Sequence, residues 1–386
     1  MTVHGKVYLV GAGPGDPELI TARGLRRLSE ADVVLYDALV HPDQLHAVRP
    51  DAELIFVGKR AGRVSERQAQ INQRLVDAAR AGKTVVRLKG GDPYLFGRGS
   101  EEAELLAAQG IEFEVVPGVP SPLAATAYAG LSLTHRELAS SVAYITATES
   151  VEKDRTGHDW SKLATATQTL VIFMGMRKLD SLAKLLIEHG RAADTPVAVV
   201  QWASLPRQRT VVGTLSDIHA RASSAGLGLP ALTIVGEVVR LRENLRWFDT
   251  KPLFGKRVVV TRAVHQAGSL ASLLRDEGAQ ALLAPTIRIA PPTDPGPLRD
   301  AVTHLDCYDW LLFTSGNAVD AFFSALREAR RDPRALGTAK VCAIGVKTEA
   351  ALAAHGIVAD LGPDDARAEG VIAALGPALG ERARVL

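Results

Sequence analysis

The sequence predicts an α/β fold built from two halves with a cleft between them, followed by a further α/β module. Three observations predict this. Short runs rich in β-branched residues alternate with amphipathic segments, as in layered α/β proteins. A proline-dense stretch, Pro117 to Pro122, separates two series of such runs, and clefts at such junctions are usual ligand sites. The chain has 386 residues, enough for two or three domains.

The first series contains four predicted strands and three predicted helices. Strands are expected at Lys6–Val10, Val33–Tyr36, Leu54–Val57 and Thr84–Leu88, and the first helix near Thr21–Ser29. The second helix begins at Ser65, which forms a capping box with Gln68, and its apolar face starts at Ile71. A third helix is expected to be capped by Ser100 and ended by Gly110.

The second series and the C-terminal module follow the same alternation. Strands are expected at Val142–Thr146, Leu170–Met174, Val197–Val200, Thr210–Val212 and Leu232–Val235, with a helix at Leu179–His189. Segment Asn244–Gly255 interrupts the pattern and is expected to be a linker. Beyond it, strands are expected at Arg257–Thr261, Trp310–Thr314, Val341–Ile344 and Val358–Leu361, and Arg384–Leu386 is expected to open another.

The composition is that of a soluble globular chain, with 47% hydrophobic and 23% charged residues. A net charge of +2 provides no field that would attract nucleic acid. The longest uncharged stretch, Val115–His135, contains three prolines and is therefore not expected to span a membrane. The two cysteines, Cys307 and Cys342, cannot form a disulfide framework, and we expect both to fill core space. A cytoplasmic protein with no membrane or nucleic-acid partner is predicted.

A glycine-rich turn, GAGPGDP at residues 11–17, directly follows the first predicted strand. In a dinucleotide fingerprint, such glycines let backbone amides approach a pyrophosphate. Here Pro14 lacks an amide donor, and Asp16 places negative charge where phosphates would lie. The motif therefore favours a loop that shapes a pocket for a different ligand, and a purely structural turn is the alternative.

A second glycine-rich segment, RLKGGDPYLFGRG at residues 87–99, also follows a strand directly. Its glycines admit close backbone approach, and Asp92 can accept hydrogen bonds from hydroxyl or amine groups. A tight Asp-Pro turn would explain residues 91–93 alone. It does not explain four glycines and two arginines within a dozen residues.

Other candidates are single side chains. Asp37 and Lys59 follow predicted strands, and such positions face the ligand crevice of open α/β sheets. A carboxylate and an amine there could move protons, and solvated surface charge is the alternative. The segment LTHR at 133–136 is a candidate anion contact, whereas Met174 is expected in the core on residue type alone. No metal site is predicted, because the CxxC and HExxH templates are absent.

Six segments, taken in order and spacing, resemble the family of uroporphyrinogen-III C-methyltransferases. They are VYLVGAGPGDPELIT, LYDALV, GKR, VVRLKGGDPYLFGRG, PGV and LTHR. The resemblance covers roughly residues 5–245. The first segment is shared across the tetrapyrrole methylase superfamily, whereas the combination of GKR, KGGDPYLFGRG and LTHR is specific to this member.

The resemblance implies a two-half tetrapyrrole methylase fold, a homodimer, and S-adenosylmethionine bound between the halves. It implies methylation of uroporphyrinogen III at carbons 2 and 7, giving precorrin-2 through precorrin-1 for sirohaem and cobalamin, with release of two S-adenosylhomocysteine molecules. It makes Asp37 the proton acceptor and Lys59 the proton donor. The implied donor-binding residues are Pro14, Gly90, Gly91, Asp92, Leu95, Pro120, Ser121, Met174 and Ala203.

Elementary chemistry agrees with these roles. A ring carbon attacks the sulfonium methyl in line, so the enzyme supplies positioning and excludes water. The methylated macrocycle is cationic and must lose a proton, which suits Asp37. The substrate carries eight carboxylates, for which the candidate partners are Arg60, Arg63, Arg98 and Arg136.

Pro120 stands where the family pattern has threonine and lacks both a hydroxyl and an N–H group, so weaker donor binding is expected if the family uses either.

Residues 256–386 resemble the first part of uroporphyrinogen-III synthase, through GKRVVVTRA, LLFTSGNAV and VCAIGVKTEAAL. The synthase makes the substrate of the methylase. That family's fold needs roughly twice this length, because a returning segment completes its first domain. The resemblance thus implies an incomplete α/β module, of which synthase activity is not expected. The expected domains are a methylase at 1–245, with halves of about 1–116 and 137–245, a linker at 246–255, and the synthase-like module at 256–386.

Three other functions stay open at this point. The chain could be another methylase of the superfamily, acting later on a corrin ring or on RNA. It could be a nicotinamide-dependent oxidoreductase that uses the first glycine turn. It could also be a tetrapyrrole-binding module without catalysis.

Overall fold

The computed structural model describes residues 5–58, 68–147, 157–363 and 367–386 of the chain. Its contacts divide the chain into two compact units, Met1–Ile287 and Arg288–Leu386. The sequence instead suggests a division at the 246–255 linker, so residues 256–287 group here with the larger unit. The boundaries of the functional domains stay a prediction.

The first sheet of the larger unit has five strands, and all of its pairings are parallel. They are β1 (Val7–Gly11), β2 (Val33–Tyr36), β3 (Glu53–Phe56), β4 (Val85–Lys89) and β5 (Phe113–Val116), in the spatial order β3-β2-β4-β1-β5. Every residue of β1 and β4 is buried. This fits a parallel sheet, which needs cover on both faces.

Helices from the same half provide that cover. They are α1 (Ala22–Glu30), α2 (Gln68–Arg80) and α3 (Gly99–Ala108). Leu75 of α2 and Leu106 of α3 pack on one face of the sheet with Leu9. Leu28 of α1 packs on the other face with Val10. The central strands are therefore enclosed, and only their ends are open to ligands.

The second sheet of the larger unit is mixed. Its strands are β6 (Val142–Thr146), β7 (Thr169–Phe173), β8 (Pro196–Gln201), β9 (Arg209–Thr214) and β10 (Ala231–Val235), in the order β6-β7-β10-β8-β9. Only β6 and β7 pair in parallel. The helices are α4 (Ser121–Ala129), α5 (Trp160–Ala166), α6 (Leu179–Glu188), α7 (Ile218–Ser224) and α8 (Arg242–Leu245). Leu186 and Ile218 pack on one face, and Ala125 of α4 packs on the other.

The larger unit ends with β11 (Arg257–Val260), α9 (Val264–Asp276) and β12 (Gln280–Leu283), whose strands pair in parallel. The smaller unit contains α10 (Gly296–Thr303), β13 (Trp310–Phe313), α11 (Gly316–Glu328), β14 (Lys340–Ala343), α12 (Val346–Ala354) and α13 (Ala368–Leu375). Its strands β13 and β14 also pair in parallel. Val385 forms a single bridge to Trp310, so the last residues do lie beside β13.

Within the described ranges, no helix combines the length and apolar character needed to cross a membrane.

One prediction about a helix is wrong. Ser100 is not the cap of α3, because this helix begins at Gly99 with Arg98 in left-handed conformation at the cap position. Helix α4, which begins at Ser121 at the end of the proline-dense stretch, was not among the expected helices. Pro122 fits there, since the first turn of a helix does not use its missing N–H. The predicted start of the second helix at Ser65 lies outside the described residues.

Other differences concern strands and the linker. β5 and β12 were not among the expected strands, and residues 358–361 form only one bridge, between Cys342 and Leu361. In the expected linker, Phe248 is buried and packs against Tyr128, with ring centroids 4.8 Å apart. Cys342 is buried as expected, but the prediction for Cys307 is wrong, because that side chain is exposed.

Thr21 caps α1, since its Oγ1 accepts a hydrogen bond from the Gly24 amide at 3.1 Å. We expect Thr21→Ala to lower the free energy of unfolding by about 1 kcal/mol, the usual effect of losing a threonine cap. Thr21→Ser keeps the hydroxyl and is the matched control. Denaturant titration followed by circular dichroism measures both variants, and equal stability of Thr21→Ala and the natural protein would contradict the capping role.

Candidate active site

A cavity of about 610 Å³ opens in the larger unit beyond the carboxyl ends of β1 and β4. Segments that follow strands of both sheets line it. All nine predicted donor-binding residues contribute to the lining, namely Pro14, Gly90, Gly91, Asp92, Leu95, Pro120, Ser121, Met174 and Ala203. The structure therefore brings together residues that are widely separated in the sequence. We refer to this space as the glycine-loop cavity.

The two glycine-rich segments meet at the floor of this cavity. The Gly13 amide donates to the Gly91 carbonyl at 3.2 Å, and the Gly91 amide donates to the Gly13 carbonyl at 2.9 Å. Both glycines have a φ of +71°, which L side chains rarely adopt. Because β1 and β4 are neighbours in the sheet, their loops emerge side by side and can pair in this way. The two turns therefore converge in the structure.

Asp92 organises the second glycine loop. Its Oδ1 accepts hydrogen bonds from the backbone amides of Tyr94 and Leu95, at 2.8 and 3.1 Å. Its Oδ2 accepts from the Gly118 amide at 3.0 Å, which ties the loop to the chain entering α4. Asp92 thus shapes the cavity through backbone contacts, while its contact with a ligand stays a prediction.

Aromatic residues complete the cavity wall, and two of them, Phe173 and Trp202, lie outside the sequence motifs. Phe96 and Phe173 pack with ring centroids 4.7 Å apart, and Trp202 lies nearby in the lining. Phe96, Met174 and Trp202 all have positive φ, between 51° and 54°. Strained non-glycine residues cluster at functional sites, so this geometry is the signal that points to them. The core placement expected of Met174 on residue type is wrong, because the side chain is 46% exposed.

Asp37 belongs to a cluster of charged side chains and is not among the residues that line the cavity. It follows β2, and its amide donates to the Leu88 carbonyl of β4 at 3.3 Å. Arg87 Nη2 donates to Asp37 Oδ1 at 2.6 Å, and Arg87 Nε donates to Glu102 Oε1 at 3.1 Å. Lys89 Nζ donates to the same oxygen at 3.1 Å. We call Asp37, Arg87, Lys89 and Glu102 the β4 ion cluster. Burial, aided by repulsion from Arg87, lowers the pKa of Lys89.

The other predicted side chains are Lys59, Arg60, Arg63, Arg98 and Arg136. Lys59, Arg60 and Arg63 lie outside the described residues. Arg98 makes a bidentate pair with Glu101, with nitrogen–oxygen distances of 2.9 and 2.6 Å. Arg136 is exposed, and neither it nor Arg98 lines the cavity. Their contact with substrate carboxylates stays a prediction.

A larger cavity of about 1050 Å³ lies elsewhere in the larger unit. It contains none of the predicted site residues. Its lining includes the ion pair between Arg275 Nη2 and Asp43 Oδ2, which are 2.5 Å apart. Burial lowers the pKa of His41 in the same lining. The convergence of strand ends and glycine loops favours the smaller cavity as the candidate active site, because ligands of open α/β sheets bind beyond the carboxyl ends of strands.

Comparison with known families agrees with this geometry. Residues 6–219 match the family described as Tetrapyrrole (Corrin/Porphyrin) Methylases. The chain belongs to this family. Residues 268–386 match a second family, described as Uroporphyrinogen-III synthase HemD.

Three individual relatives are similar to the chain. The chain is 41% identical over 363 residues to a uroporphyrinogen-III C-methyltransferase of Bacillus subtilis (strain 168), covering 94% of this chain and 74% of that protein. It is 39% identical to the porphyrin biosynthesis protein HemD of Ruminiclostridium josui, covering 99% and 76%. It is 52% identical to a siroheme synthase of Pseudomonas fluorescens (strain Pf0-1), over 64% of this chain but only 53% of that protein. The tetrapyrrole methylase thus spans about half of the siroheme synthase that it resembles.

Two solved structures are similar to the methylase part. Uroporphyrin-III C-methyltransferase from Thermus thermophilus, complexed with S-adenosylhomocysteine, is 43% identical with a TM-score of 0.52, covering 61% of this chain and 100% of that one. Cobalt precorrin-4 methyltransferase is 34% identical with a TM-score of 0.55, covering 61% and 95%. The predicted tetrapyrrole methylase fold, methyltransferase activity and S-adenosylmethionine cofactor are confirmed. A nicotinamide-dependent reaction finds no support in this family.

Gly118 allows the two loops and β1 to approach each other closely. A Cβ at this position would lie 2.3 Å from the Gly91 carbonyl oxygen and 2.7 Å from the Gly11 Cα. We expect Gly118→Ala to lower the free energy of unfolding by about 1–3 kcal/mol, as overpacking does. It should also weaken S-adenosylhomocysteine binding, because the loops must move apart.

The matched control is Gly268→Ala in α9, where an added Cβ meets nothing within 4 Å. This variant should be at least as stable as the natural protein, since alanine is favoured over glycine in a helix. Thermal unfolding with and without S-adenosylhomocysteine measures both effects. A Gly118→Ala variant with unchanged stability and ligand response would show that this close packing does not shape the cavity.

Proposed function

We propose that the enzyme transfers methyl groups from S-adenosylmethionine to carbons 2 and 7 of uroporphyrinogen III, giving precorrin-2 through precorrin-1. The donor occupies the glycine-loop cavity, and the macrocycle lies at its mouth beside Asp37. Two observations support the proposal: the convergence of the nine predicted residues in one cavity, and the 41% identity to a relative with this name.

The scarcity of charged side chains in the cavity lining supports S-adenosylmethionine as the donor. Among the described lining residues, Asp92 is the only ionised side chain, and none is basic. A diphosphate would find no cation there, and Pro14 removes one of the backbone donors that such a ligand needs. A sulfonium ion is positive and needs no phosphate cradle. The apolar lining, which includes Leu95, Phe96 and Trp202, excludes water from the reacting carbon.

The residues around the cavity position the reactants and move a proton. Bound there, S-adenosylmethionine supplies an electrophilic methyl group. A new carbon–carbon bond forms to the ring while the carbon–sulfur bond breaks, and its electron pair stays on sulfur as a neutral thioether. The ring, now cationic, releases one proton to Asp37. Lys59 is the proposed proton donor, and Arg60, Arg63, Arg98 and Arg136 are proposed to hold substrate carboxylates. Arg98 already pairs with Glu101 through Nε and Nη2.

Further parts of the proposal rest on the family resemblance alone. We propose a cytoplasmic homodimer whose product feeds sirohaem and cobalamin synthesis. We place the methylase at 1–245 and the synthase-like module at 256–386. The proposal includes no synthase activity for this module. Conversion of the linear tetrapyrrole precursor by the purified chain would contradict this part of the proposal.

The second candidate is methylation of a later, corrin-type ring, which the similarity to cobalt precorrin-4 methyltransferase favours. Incubation of the pure protein with S-adenosylmethionine and uroporphyrinogen III separates the two candidates. The proposal predicts the precorrin-2 chromophore and two S-adenosylhomocysteine molecules per product. Methylation of a corrin-type intermediate without any turnover of uroporphyrinogen III would favour the second candidate instead.

Asp37 as proton acceptor leads to a kinetic prediction. Asp37→Ala should lower turnover by about 100-fold, the usual contribution of a general base, with a much smaller change in S-adenosylhomocysteine affinity. Lys59→Ala should likewise lower turnover much more than it lowers S-adenosylhomocysteine affinity. Asp51→Ala is the matched control, because this acid is exposed at the surface of the same half and pairs only with Arg49 among the contacts described. Equal losses of turnover and donor affinity in Asp37→Ala would argue against its role in proton transfer.

A further inference from the structure

The β4 ion cluster contains more buried charge than the proposed proton transfer uses. The side chains of Arg87 and Lys89 are 3% exposed, and that of Glu102 is 0% exposed. They lie in the apolar core between the first sheet and helices α2 and α3. Buried ion pairs add little stability compared with apolar residues of the same size, because desolvation offsets the attraction. Stability therefore does not account for this cluster.

Glu102 is the centre of the cluster. Its Oε1 accepts hydrogen bonds from Arg87 Nε and Lys89 Nζ, both at 3.1 Å, and from Gln68 Nε2 at 3.0 Å. Its Oε2 is buried and has no hydrogen-bond partner among the described residues. Three donors from two different elements thus converge on one oxygen of a carboxylate that is closed off from solvent.

Strand β4 connects two parts of the candidate active site, because it contributes both Arg87 and Lys89 to the cluster. Arg87 and Lys89 are two positions apart and therefore project from the same face of the strand. Arg87 reaches forward to Asp37 Oδ1 with Nη2, while Lys89 directly precedes the Gly90–Gly91 loop of the cavity. The planar fork of arginine is required for this bridge, because one group contacts Glu102 and Asp37 at the same time.

We propose that Glu102 is a positioning residue that acts through Arg87 to fix Asp37 relative to the donor loop. The inference rests on the proposed function, in which Asp37 takes the ring proton. Arg87 occupies Oδ1 of Asp37, and the described residues provide no hydrogen bond to Oδ2, which is left to accept the proton. Without Glu102, Arg87 loses the contact that holds its Nε side, and the Asp37 carboxylate can turn away from the ring.

The test is the double variant Lys89→Met/Glu102→Leu, which removes one positive and one negative charge and refills the core with apolar side chains of similar size. The Arg87–Asp37 pair remains. We expect the variant to fold and to bind S-adenosylhomocysteine within about threefold of the natural protein, but to turn over about tenfold or more slowly, because misplacing a reacting group costs this much. Arg87→Lys, which cannot bridge both carboxylates, should show the same pattern.

The matched control is Arg242→Met/Asp249→Leu, which removes another partly buried ion pair of the same unit that does not line the glycine-loop cavity. Its turnover per folded molecule should be unchanged. If Lys89→Met/Glu102→Leu or Arg87→Lys folds and turns over at the natural rate, the proposal is overturned. It is also overturned if donor affinity falls as much as turnover, since that pattern indicates a general structural role.

A final comparison separates this proposal from the proposed function. Single-turnover rates are measured for Lys89→Met/Glu102→Leu with and without Asp37→Ala. If Glu102 acts through Asp37, its loss adds nothing further once Asp37 is gone. Multiplicative losses would overturn the positioning role while leaving Asp37 as proton acceptor. If Asp37→Ala alone keeps the natural rate, the proposed role of Asp37 fails, and the role of Glu102 fails with it.

Discussion

The two backbone hydrogen bonds between Gly13 and Gly91 are the contact on which the candidate site depends. They join loops that leave two neighbouring parallel strands, and both glycines adopt a φ of +71°. Gly11 and Gly118 allow the surrounding backbone to come within a distance that no side chain would permit. The loops, the start of α4 and the ends of second-sheet strands can therefore enclose one cavity. The fold positions this site because parallel strands end at a common edge.

Uncharged and charged side chains occupy different regions around the candidate site. The only acidic or basic residue in the described lining of the glycine-loop cavity is Asp92, whereas the β4 ion cluster, which is centred on Glu102, has four charged side chains and none of them lines the cavity. A neutral, apolar space suits a donor that arrives as a cation and leaves as a neutral thioether. The charged cluster suits the other half of the reaction, in which a proton leaves the ring. Strand β4 connects the two regions, since it contributes Arg87 and Lys89 and continues into Gly90.

Much of the fold and part of the site follow from the sequence. Periodicity alone predicts β2 and β6 at their observed bounds, because these strands are short apolar runs between clear turn signals. It misses β12, whose apolar residues are partly exposed, and α4, in which Pro122 occupies the first helical turn. The motifs identify both glycine loops, and the family resemblance identifies the nine cavity residues. No local pattern indicates Phe173 or Trp202, whose place in the lining depends on tertiary packing. In the sequence, Glu102 is one of two adjacent glutamates in a helix. Only the packing of α3 against β4 shows that its side chain is buried.

The most direct test of the account is a crystal structure of the protein with S-adenosylhomocysteine. The account predicts that the ligand lies in the glycine-loop cavity, with its sulfur on the side facing Asp37 and with the Gly90–Asp92 backbone against it. Ligand density in the larger cavity lined by His41 and Arg275, or at any position away from Gly13 and Gly91, would contradict the central claim that the paired glycine loops form the donor site.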